Sequence, residues 1–172
     1  ASCLVGSEMC IRDRLYIDGN IVDSGVTLSG VISTPNQFIV GSHVFTDRSF
    51  FKGKVDNFNF WSLTLSQQEI LSNMNTPLVG DEEGLVGYWN FNEGNGNVLT
   101  DLSGNENNGT IYGATWSDDV PPRDGGNYSL SFDGVDDRLD LPVINDVSSI
   151  AFWVNISSDQ DSDNNNYLID AR

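Results

Sequence analysis

Apolar and polar residues alternate with a period of two in several segments of the chain, which predicts β-strands with one buried face. In residues 85–92, Leu85, Trp89 and Phe91 share one parity, so we expect Trp89 and Phe91 to point into a core. Residues 150–156 alternate in the same way, and we expect residues 167–171 to form the hairpin partner of that strand. The pattern predicts a protein built mainly from antiparallel strands.

Shorter strands are predicted near the start of the chain. Residues 15–22 form two runs on either side of Asp18-Gly19, a dipeptide that is typical of tight β-hairpin turns. Residues 26–31 and 37–40 have the composition of two further strands. This half of the chain therefore adds at least one hairpin to the predicted sheets.

A carboxylate is predicted to be buried in the strand segment over residues 50–61. Asp56 shares its parity with Phe58 and Phe60, whose rings we expect to face the interior. A buried carboxylate needs a metal ion, a cation or several hydrogen bonds to offset its desolvation. Asp56 is thus a candidate ligand.

One short helix is predicted among the strands. Ser66-Gln-Gln-Glu69 matches a capping box, in which the serine and glutamate side chains accept hydrogen bonds from backbone amides at the helix start. We expect the helix to run from about Gln67 to Asn73, and Pro77 prevents it from going much further. The fold class that follows is all-β with one short helix near 67–73.

The loop after Phe91 contains many residues whose oxygen atoms could bind a metal ion. Asp101, Asn105 and Asn108 precede Gly109, and such hard oxygen ligands in a flexible loop suit calcium. The same residue types are also typical of ordinary tight turns, because they accept local backbone hydrogen bonds and tolerate positive φ. The loop departs from the EF-hand pattern, since Glu106 stands where that motif has glycine. Both interpretations remain open at this point.

A second acidic loop has two interpretations as well. Asp159, Asp161 and Asp163 alternate within residues 157–166, as at the start of an EF-hand loop. No helices are predicted on either side of them, which favours an exposed hairpin tip. The one histidine, His43, is predicted to lie on the surface, since no Ser, Cys or His partner is evident.

Composition excludes several classes of function. The 172 residues carry 25 acidic and 8 basic side chains, a net charge of −17, which repels nucleic acid and anionic membranes and attracts cations. No window of about 18 apolar residues predicts membrane insertion. Cys3 and Cys10 are the only cysteines, so disulfides do not organise the predicted fold.

Catalysis is not predicted from these residues. Retaining glycoside hydrolysis needs two carboxylates about 5 Å apart, and no strand carries the Glu-x-Asp-x-Glu pattern that would supply them. His43 has no setting that suits a nucleophilic triad, and neither a zinc spacing nor a phosphate-binding loop with lysine occurs. We therefore expect a binding or structural role.

Longer motifs occur in two blocks. Residues 87–134 contain Gly-Tyr-Trp-x-Phe-x-Glu-Gly, Asp-x-Ser-Gly-Asn-x-Asn-x-Gly-Thr and Ser-Phe-Asp-Gly. Residues 15–70 contain Leu-Tyr-Ile-Asp-Gly, Ile-Val-Gly-Ser, Phe-Lys-Gly-Lys-Val-Asp-Asn-Phe-x-Phe-Trp and Leu-Ser-x-x-Glu-Ile. The first block resembles the opening half, and the second block the closing half, of laminin G-like modules of the concanavalin A-like lectin/glucanase superfamily.

The reversed order of these halves predicts a window across tandem modules. We expect residues 15–76 to be the C-terminal half of one module, 77–84 a linker, and 85–172 the N-terminal half of the next. The resemblance implies a two-sheet antiparallel jelly-roll sandwich, and we expect both halves to pair into one circularly permuted sandwich. Residues 1–14 lack periodicity and resemble a translated sequencing adaptor, so they are left out of the fold prediction.

The resemblance also implies a function. Such modules are non-catalytic and recognise carbohydrate or glycoproteins in large secreted or cell-surface proteins, with calcium fixing the loops. Carried over residue by residue, the implied metal ligands are Asp101, Asn105, Asn108, the carbonyl of Gly109, Asp56 and Asp133.

Other roles remain open beside this one. The alternative is a structural or adhesive repeat that contacts proteins, including neighbouring modules of a longer chain, and a more remote one is a glycoside hydrolase fragment. Tyr112, Trp116 and Trp153 are candidates for stacking on sugars, and each is equally a candidate for core packing. We expect any secretion signal to lie outside this sequence.

Overall fold

The computed structural model describes residues 14–23, 37–42, 50–120, 126–158 and 168–171. Over these residues the strands are β1 (Leu15–Ile17), β2 (Asn20–Asp23), β3 (Phe38–Val40), β4 (Lys52–Trp61), β5 (Leu85–Trp89), β6 (Val98–Leu99), β7 (Gly109–Tyr112), β8 (Thr115–Ser117), β9 (Ser129–Asp133), β10 (Arg138–Leu141), β11 (Ser149–Ile156) and β12 (Ile169–Ala171). Helix α1 spans Gln67–Asn75. The predicted strand at 26–31, His43 and the Asp159–Asp163 triplet lie outside the described residues.

Two antiparallel sheets make up the body of the fold. Sheet A has the strand order β12-β3-β10-β7-β6. Sheet B has the order β11-β4-β9-β8, and β5 also pairs with the long strand β4. The hairpin of β1 and β2 forms a separate small sheet. These sheets confirm the predicted all-β fold class, which is consistent with a concanavalin A-like jelly-roll sandwich.

One hydrophobic core draws residues from both sides of the predicted linker. The ring of Phe60 in β4 lies 5.5 Å from that of Trp89 in β5 and 4.8 Å from that of Phe38 in β3. Phe58 stacks on Phe152 of β11 at 4.8 Å between ring centroids. Burying each such side chain contributes about 1.5–3 kcal/mol, so the two portions stabilise each other. Their origin in consecutive modules stays a prediction.

A bulge in β4 corrects the predicted parity of Asp56. Val55 lies in the same core as Phe58, although strict alternation would place these two residues on opposite faces. The pairing between β4 and β11 shifts register here, and Asn57 has a φ of 54°. The bulge places one extra residue in β4, so the side chains on either side of it no longer alternate in one sequence of faces. Asp56 is buried as predicted, but it does not alternate in step with the rings that follow it.

The start of β5 differs from the predicted alternation for a related reason. The register between β4 and β5 shifts at Phe60 and Trp61, so that Trp61 pairs with Leu85. Leu85 therefore packs with Trp61 and Tyr88 in a second, smaller cluster rather than with Trp89. Trp89 and Phe91 are fully buried in the main core, as their parity predicted.

Helix α1 begins with the predicted capping box. The amide of Glu69 donates to Ser66 Oγ at 3.3 Å, and the amide of Ser66 donates to Glu69 Oε2 at 2.7 Å. These two bonds satisfy amides that have no partner within the first helical turn.

No helix among the described residues is long and apolar enough to cross a membrane.

The predicted hairpin at residues 15–22 is also present, and it packs on the helix. Asp18 and Gly19 have φ values of 50° and 69°, the backbone of a type I′ turn. Gly19 lies so close to Leu71 that a Cβ there would overlap its side chain. The carbonyl of Gly19 accepts a bond from Gln67 Nε2 at 2.9 Å, which links the turn to α1.

The last described strand has a different partner from the predicted one. β12 pairs with β3 of sheet A, with Ile169 opposite Val40, and not with β11 of sheet B. The hairpin prediction for residues 167–171 is therefore wrong. Local alternation cannot distinguish the two partners, because either sheet would bury the same face of a short strand.

Candidate functional site

Asp101 lies at the start of the oxygen-rich loop, and its carboxylate accepts three backbone hydrogen bonds, two from that loop and one from β5. Oδ1 accepts from the amides of Tyr88 at 3.0 Å and Ser103 at 2.9 Å, and Oδ2 accepts from the amide of Asn107 at 2.9 Å. Asp101 itself is only 8% exposed. Its two oxygens therefore join β5 to both ends of the loop.

The neighbouring predicted ligands are held within the same hydrogen-bonded loop or in the strand that follows it. Asn108 Oδ1 accepts from the amide of Asp101 at 2.9 Å. Asn105 Nδ2 lies 3.1 Å from Ser103 Oγ, and Gly109 is buried in β7 opposite Leu99 of β6. Backbone amides thus take lone pairs of Asp101 and Asn108 that a calcium ion would need, whereas Asn105 is held through its side-chain nitrogen. The turn interpretation accounts for this loop without an ion.

Asp56 is 2% exposed and lies opposite Trp153 of β11. The amide oxygen of the next residue, Asn57, is buried without a hydrogen-bond partner among the described residues. The carboxylate of Asp101 accepts from the amide of Tyr88 in β5, and Tyr88 is paired with Asn59 in β4. Asp56 lies farther along β4 than this position. Neither Asp56 nor Asp101 belongs to a described group of three acidic, His or Cys ligands.

The described residues do contain one such group, at the turn between β9 and β10. Asp133, Asp136 and Asp137 each offer a carboxylate oxygen, and these oxygens lie within 4.8 Å of one another. Asp133 was among the predicted ligands, whereas Asp136 and Asp137 were missed. Their spacing after the Phe-Asp-Gly turn was the signal that could have revealed them, because a tight turn brings such positions together.

Burial makes Asp137 the unusual member of this cluster. Burial raises the pKa of its carboxyl above the ordinary value, and the negative charges of Asp133 and Asp136 raise it further. The bond that Asp137 Oδ2 accepts from the amide of Asp133, at 2.7 Å, acts in the opposite direction. A cation held among the three carboxylates would offset this repulsion.

The chemistry of this donor set fits calcium better than the Asp101 loop does. Calcium binds oxygens at about 2.3–2.6 Å, so two of its ligands lie at most about 5 Å apart. The three oxygens at the β9–β10 turn meet that condition. Asp133 would hold the ion together with Asp136 on the exposed side, and Asp137 would complete the group from beneath.

The outer face of sheet A carries an exposed aromatic side chain beside polar groups. Tyr112 of β7 is 42% exposed, and the Arg138 guanidinium carbon lies 4.0 Å from the centroid of its ring. Arg138 Nε donates to Asp140 Oδ1 at 3.0 Å. Thr110 lies opposite Asp140 across the β7–β10 pair. We call Thr110, Tyr112, Arg138 and Asp140 the Tyr112 platform.

The other two aromatic candidates are less accessible. Trp116 of β8 packs against the main core, and its Nε1 donates to the carbonyl of Gly96 at 3.0 Å. Trp153 of β11 is half-buried beside Asp56 on the outer face of sheet B. Tyr112 is therefore the most exposed of the three aromatic candidates, with the Arg138 guanidinium over one face of its ring.

Comparison with protein families bears on the first half of the chain. Residues 13–71 match the family model Laminin_G_3, described as the Concanavalin A-like lectin/glucanases superfamily. The predicted family is thus confirmed for this segment. The segment includes β1 to β4 and most of α1 with its capping box. The chain matches no curated protein and no solved structure.

The family match and the sheet-rich fold together support a lectin-like or adhesive module in general terms. Members of a superfamily share a fold more surely than a ligand, so the ligand must be argued from the surface of this chain. The Tyr112 platform and the β9–β10 acidic cluster are the two surface features that carry such an argument.

Proposed function

We propose that the protein is a non-catalytic carbohydrate-binding or glycoconjugate-binding module of a large secreted or cell-surface protein, with a loop stabilised by calcium. The proposal depends chiefly on the Tyr112 platform. The Arg138 guanidinium lies over one face of the Tyr112 ring, and a carboxylate and a hydroxyl group lie on the same face of the sheet, so a sugar would use the rest of the exposed ring and the polar groups around it.

The platform has the chemistry that a sugar ring needs. A pyranose presents an apolar C–H face, which packs on an aromatic ring, and hydroxyl groups, which need donors and acceptors at its edge. Arg138 offers donors and Asp140 offers an acceptor. Because Arg138 and Asp140 hold each other at 3.0 Å, both are positioned before a ligand arrives. Such preorganisation lowers the entropic cost of binding.

Calcium is proposed at the β9–β10 turn, through Asp133, Asp136 and Asp137. The close carboxylates and the raised pKa of Asp137 support this location. An ion there would fix the turn that leads directly into Arg138 of the platform. Asp56 and Asp101 are also proposed as calcium ligands, with less support than the three carboxylates at the β9–β10 turn. The buried side-chain oxygen of Asn57 favours Asp56, the residue before it.

The absence of catalysis is likewise a proposal. Two of the carboxylates at the β9–β10 turn are near the separation found in retaining glycosidases, about 5 Å. The buried member, Asp137, packs its Oδ1 against Gly113 and accepts a backbone bond with Oδ2. Because Asp137 is buried, a sugar substrate cannot reach its carboxyl, which argues against the role of general acid, whereas a small ion held by Asp133 and Asp136 can.

A glycan array tests the carbohydrate proposal. The full chain should bind a defined subset of glycans, and Tyr112→Ala should reduce that binding at least tenfold while the melting temperature stays unchanged. Tyr128→Ala is the matched control, because Tyr128 is a similarly exposed tyrosine outside the platform. If Tyr112→Ala binds glycans as well as the parent, or if the parent binds no glycan on the array, the Tyr112 platform is not a carbohydrate site.

Calcium titration of the melting temperature tests the metal proposal. A bound ion stabilises the fold by an amount that grows with its free concentration, about 2.7 kcal/mol at one hundred times the dissociation constant. Asp136→Asn should remove most of this gain, whereas Asp118→Asn, an exposed carboxylate elsewhere, should leave it. An equal gain in both variants would place the ion away from the turn.

An adhesive repeat is the second candidate, and the β1–β2 hairpin favours it. Leu15, Ile17, Ile21 and Val22 are all about half exposed on this hairpin. Exposed apolar residues on both faces of a short hairpin, with Leu15 and Ile17 on one face and Ile21 on the other, favour a protein contact. If the array is silent, and Ile17→Ser with Ile21→Ser abolishes association with a neighbouring module of the parent chain, adhesion replaces carbohydrate binding.

A further inference from the structure

The sequence contains two Asn-Gly dipeptides, and the fold holds them in opposite settings. Asn95-Gly96 lies in the loop between β5 and β6, and Asn108-Gly109 leads into β7. Asparagine followed by glycine is chemically labile, because glycine has no side chain to obstruct attack by its own nitrogen. The surroundings of each pair then decide which of them reacts.

Asn95 is held weakly. Asn95 and Gly96 are both exposed, and the side-chain Nδ2 of Asn95 donates to the carbonyl of Glu93 at 3.2 Å on the surface. Gly96 has a φ of 80°, and the space where a Cβ would stand is empty. The side chain can therefore rotate toward the main-chain nitrogen of Gly96 without displacing a packed group.

Asn108 is held firmly. Its Oδ1 accepts from the amide of Asp101 at 2.9 Å, within the hydrogen-bonded loop described above. Gly109 is buried in β7, paired with Leu99 and packed beneath the side chains of Leu139 and Leu141. Reaction there would require the loop bond and the strand pairing to open together.

We propose that Asn95 is a site of spontaneous deamidation in the folded protein and that Asn108 is protected. In the first step the deprotonated nitrogen of Gly96 attacks Cγ of Asn95 and forms a five-membered succinimide. The Cγ–Nδ2 bond breaks, and Nδ2 takes one further proton from water and leaves as ammonia, which balances the proton that the Gly96 nitrogen gave up to water. Water then adds to either ring carbonyl and opens the ring, which yields aspartate or isoaspartate at this position.

The modification has a local structural consequence. The carbonyl of Gly96 accepts the Nε1–H of Trp116 at 3.0 Å, which fastens the loop to β8. Isoaspartate inserts one extra methylene into the main chain directly before Gly96. This insertion displaces the carbonyl from Trp116 and adds one negative charge to a chain that already carries −17.

Peptide mapping of the full chain after incubation at mildly alkaline pH tests this proposal. Mass spectrometry should find conversion at Asn95 several times faster than at Asn108, and an isoaspartyl methyltransferase should label the product. The urea-unfolded chain is the control, in which both dipeptides should react at similar rates. Equal rates in the folded chain, or faster reaction at Asn108, would overturn the proposal.

A second measurement does not depend on peptide mapping. Tryptophan emission should change as the isoaspartate product accumulates in the folded parent, because Trp116 loses its hydrogen bond. Asn95→Gln, which forms the corresponding ring far more slowly, should keep both its mass and its emission over the same period. Conversion of the parent without any difference in emission would refute the link to Trp116, and equal mass change in Asn95→Gln would refute the site.

Discussion

Replacing Asp101 by alanine distinguishes a hydrogen-bonded loop from a calcium loop. The substitution removes three bonds from backbone amides to a carboxylate, and bonds to a charged group contribute about 1.5–3 kcal/mol each. Ser103 and Asn107 lie in a partly exposed loop, so water can replace their lost bonds. Only the amide of Tyr88 is deeply buried, and its bond cannot be replaced in this way.

We therefore expect Asp101→Ala to lower the free energy of unfolding by about 3 kcal/mol. For a domain of this size each kcal/mol changes the melting temperature by about 2–4 °C, so the expected decrease is about 6–12 °C. Differential scanning calorimetry of the full chain measures both quantities.

Asp118→Ala is the matched control, because it removes an equal charge from an exposed position and should change the melting temperature little. The decrease caused by Asp101→Ala should be the same in calcium and in chelator. If it appears in calcium alone, Asp101 is a ligand and the hydrogen-bond explanation is wrong. If it does not exceed that of Asp118→Ala, the three bonds do not stabilise the fold.

Three further predictions concern separate parts of the fold. Ser66→Ala should lower the free energy of unfolding by about 1 kcal/mol, because it removes the N-cap of α1, and Ser66→Gly should lower it less. Urea unfolding measures both changes. The bonds with Ser66 lower the pKa of Glu69, so their stabilising effect is present above the ordinary pKa and disappears as pH falls through the lowered value. Unfolding of Glu69→Gln should accordingly show a weaker loss of stability over that acidic range than unfolding of the parent. Gly113→Ala should cost about 2 kcal/mol, because Gly113 has a φ of 78° and a Cβ there would overlap Asp137; a thermal melt as stable as that of the parent would contradict this.

The elements that sequence predicted well depend on near neighbours. The turn at Asp18-Gly19 and the box from Ser66 to Glu69 form through residues only a few positions apart, so their patterns are sufficient. The burial of Trp89 followed from alternation alone, and Phe91 is buried as predicted although it lies beyond β5 with a φ of 57°. In each case the side chains and the backbone groups that they satisfy lie in one short stretch of chain.

The predictions that failed concern partners in other strands. The bulge at Asn57 depends on the register between β4 and β11, and no feature of residues 55–61 announces it. The partner of β12 was wrong because the face of a short strand does not identify its sheet. The role of Asp101 remained open because its strongest partner, the amide of Tyr88, belongs to another strand.

The sequence by itself determined the all-β class, the hairpin, the capped helix, the acidic surface and the family of residues 13–71. Tertiary structure alone decided which polar groups meet. Tyr112 reaches Arg138 only because β7 and β10 are adjacent strands. Alternation specifies which face of a strand is buried, whereas strand pairing specifies its neighbours, and pairing depends on the energy of the whole core.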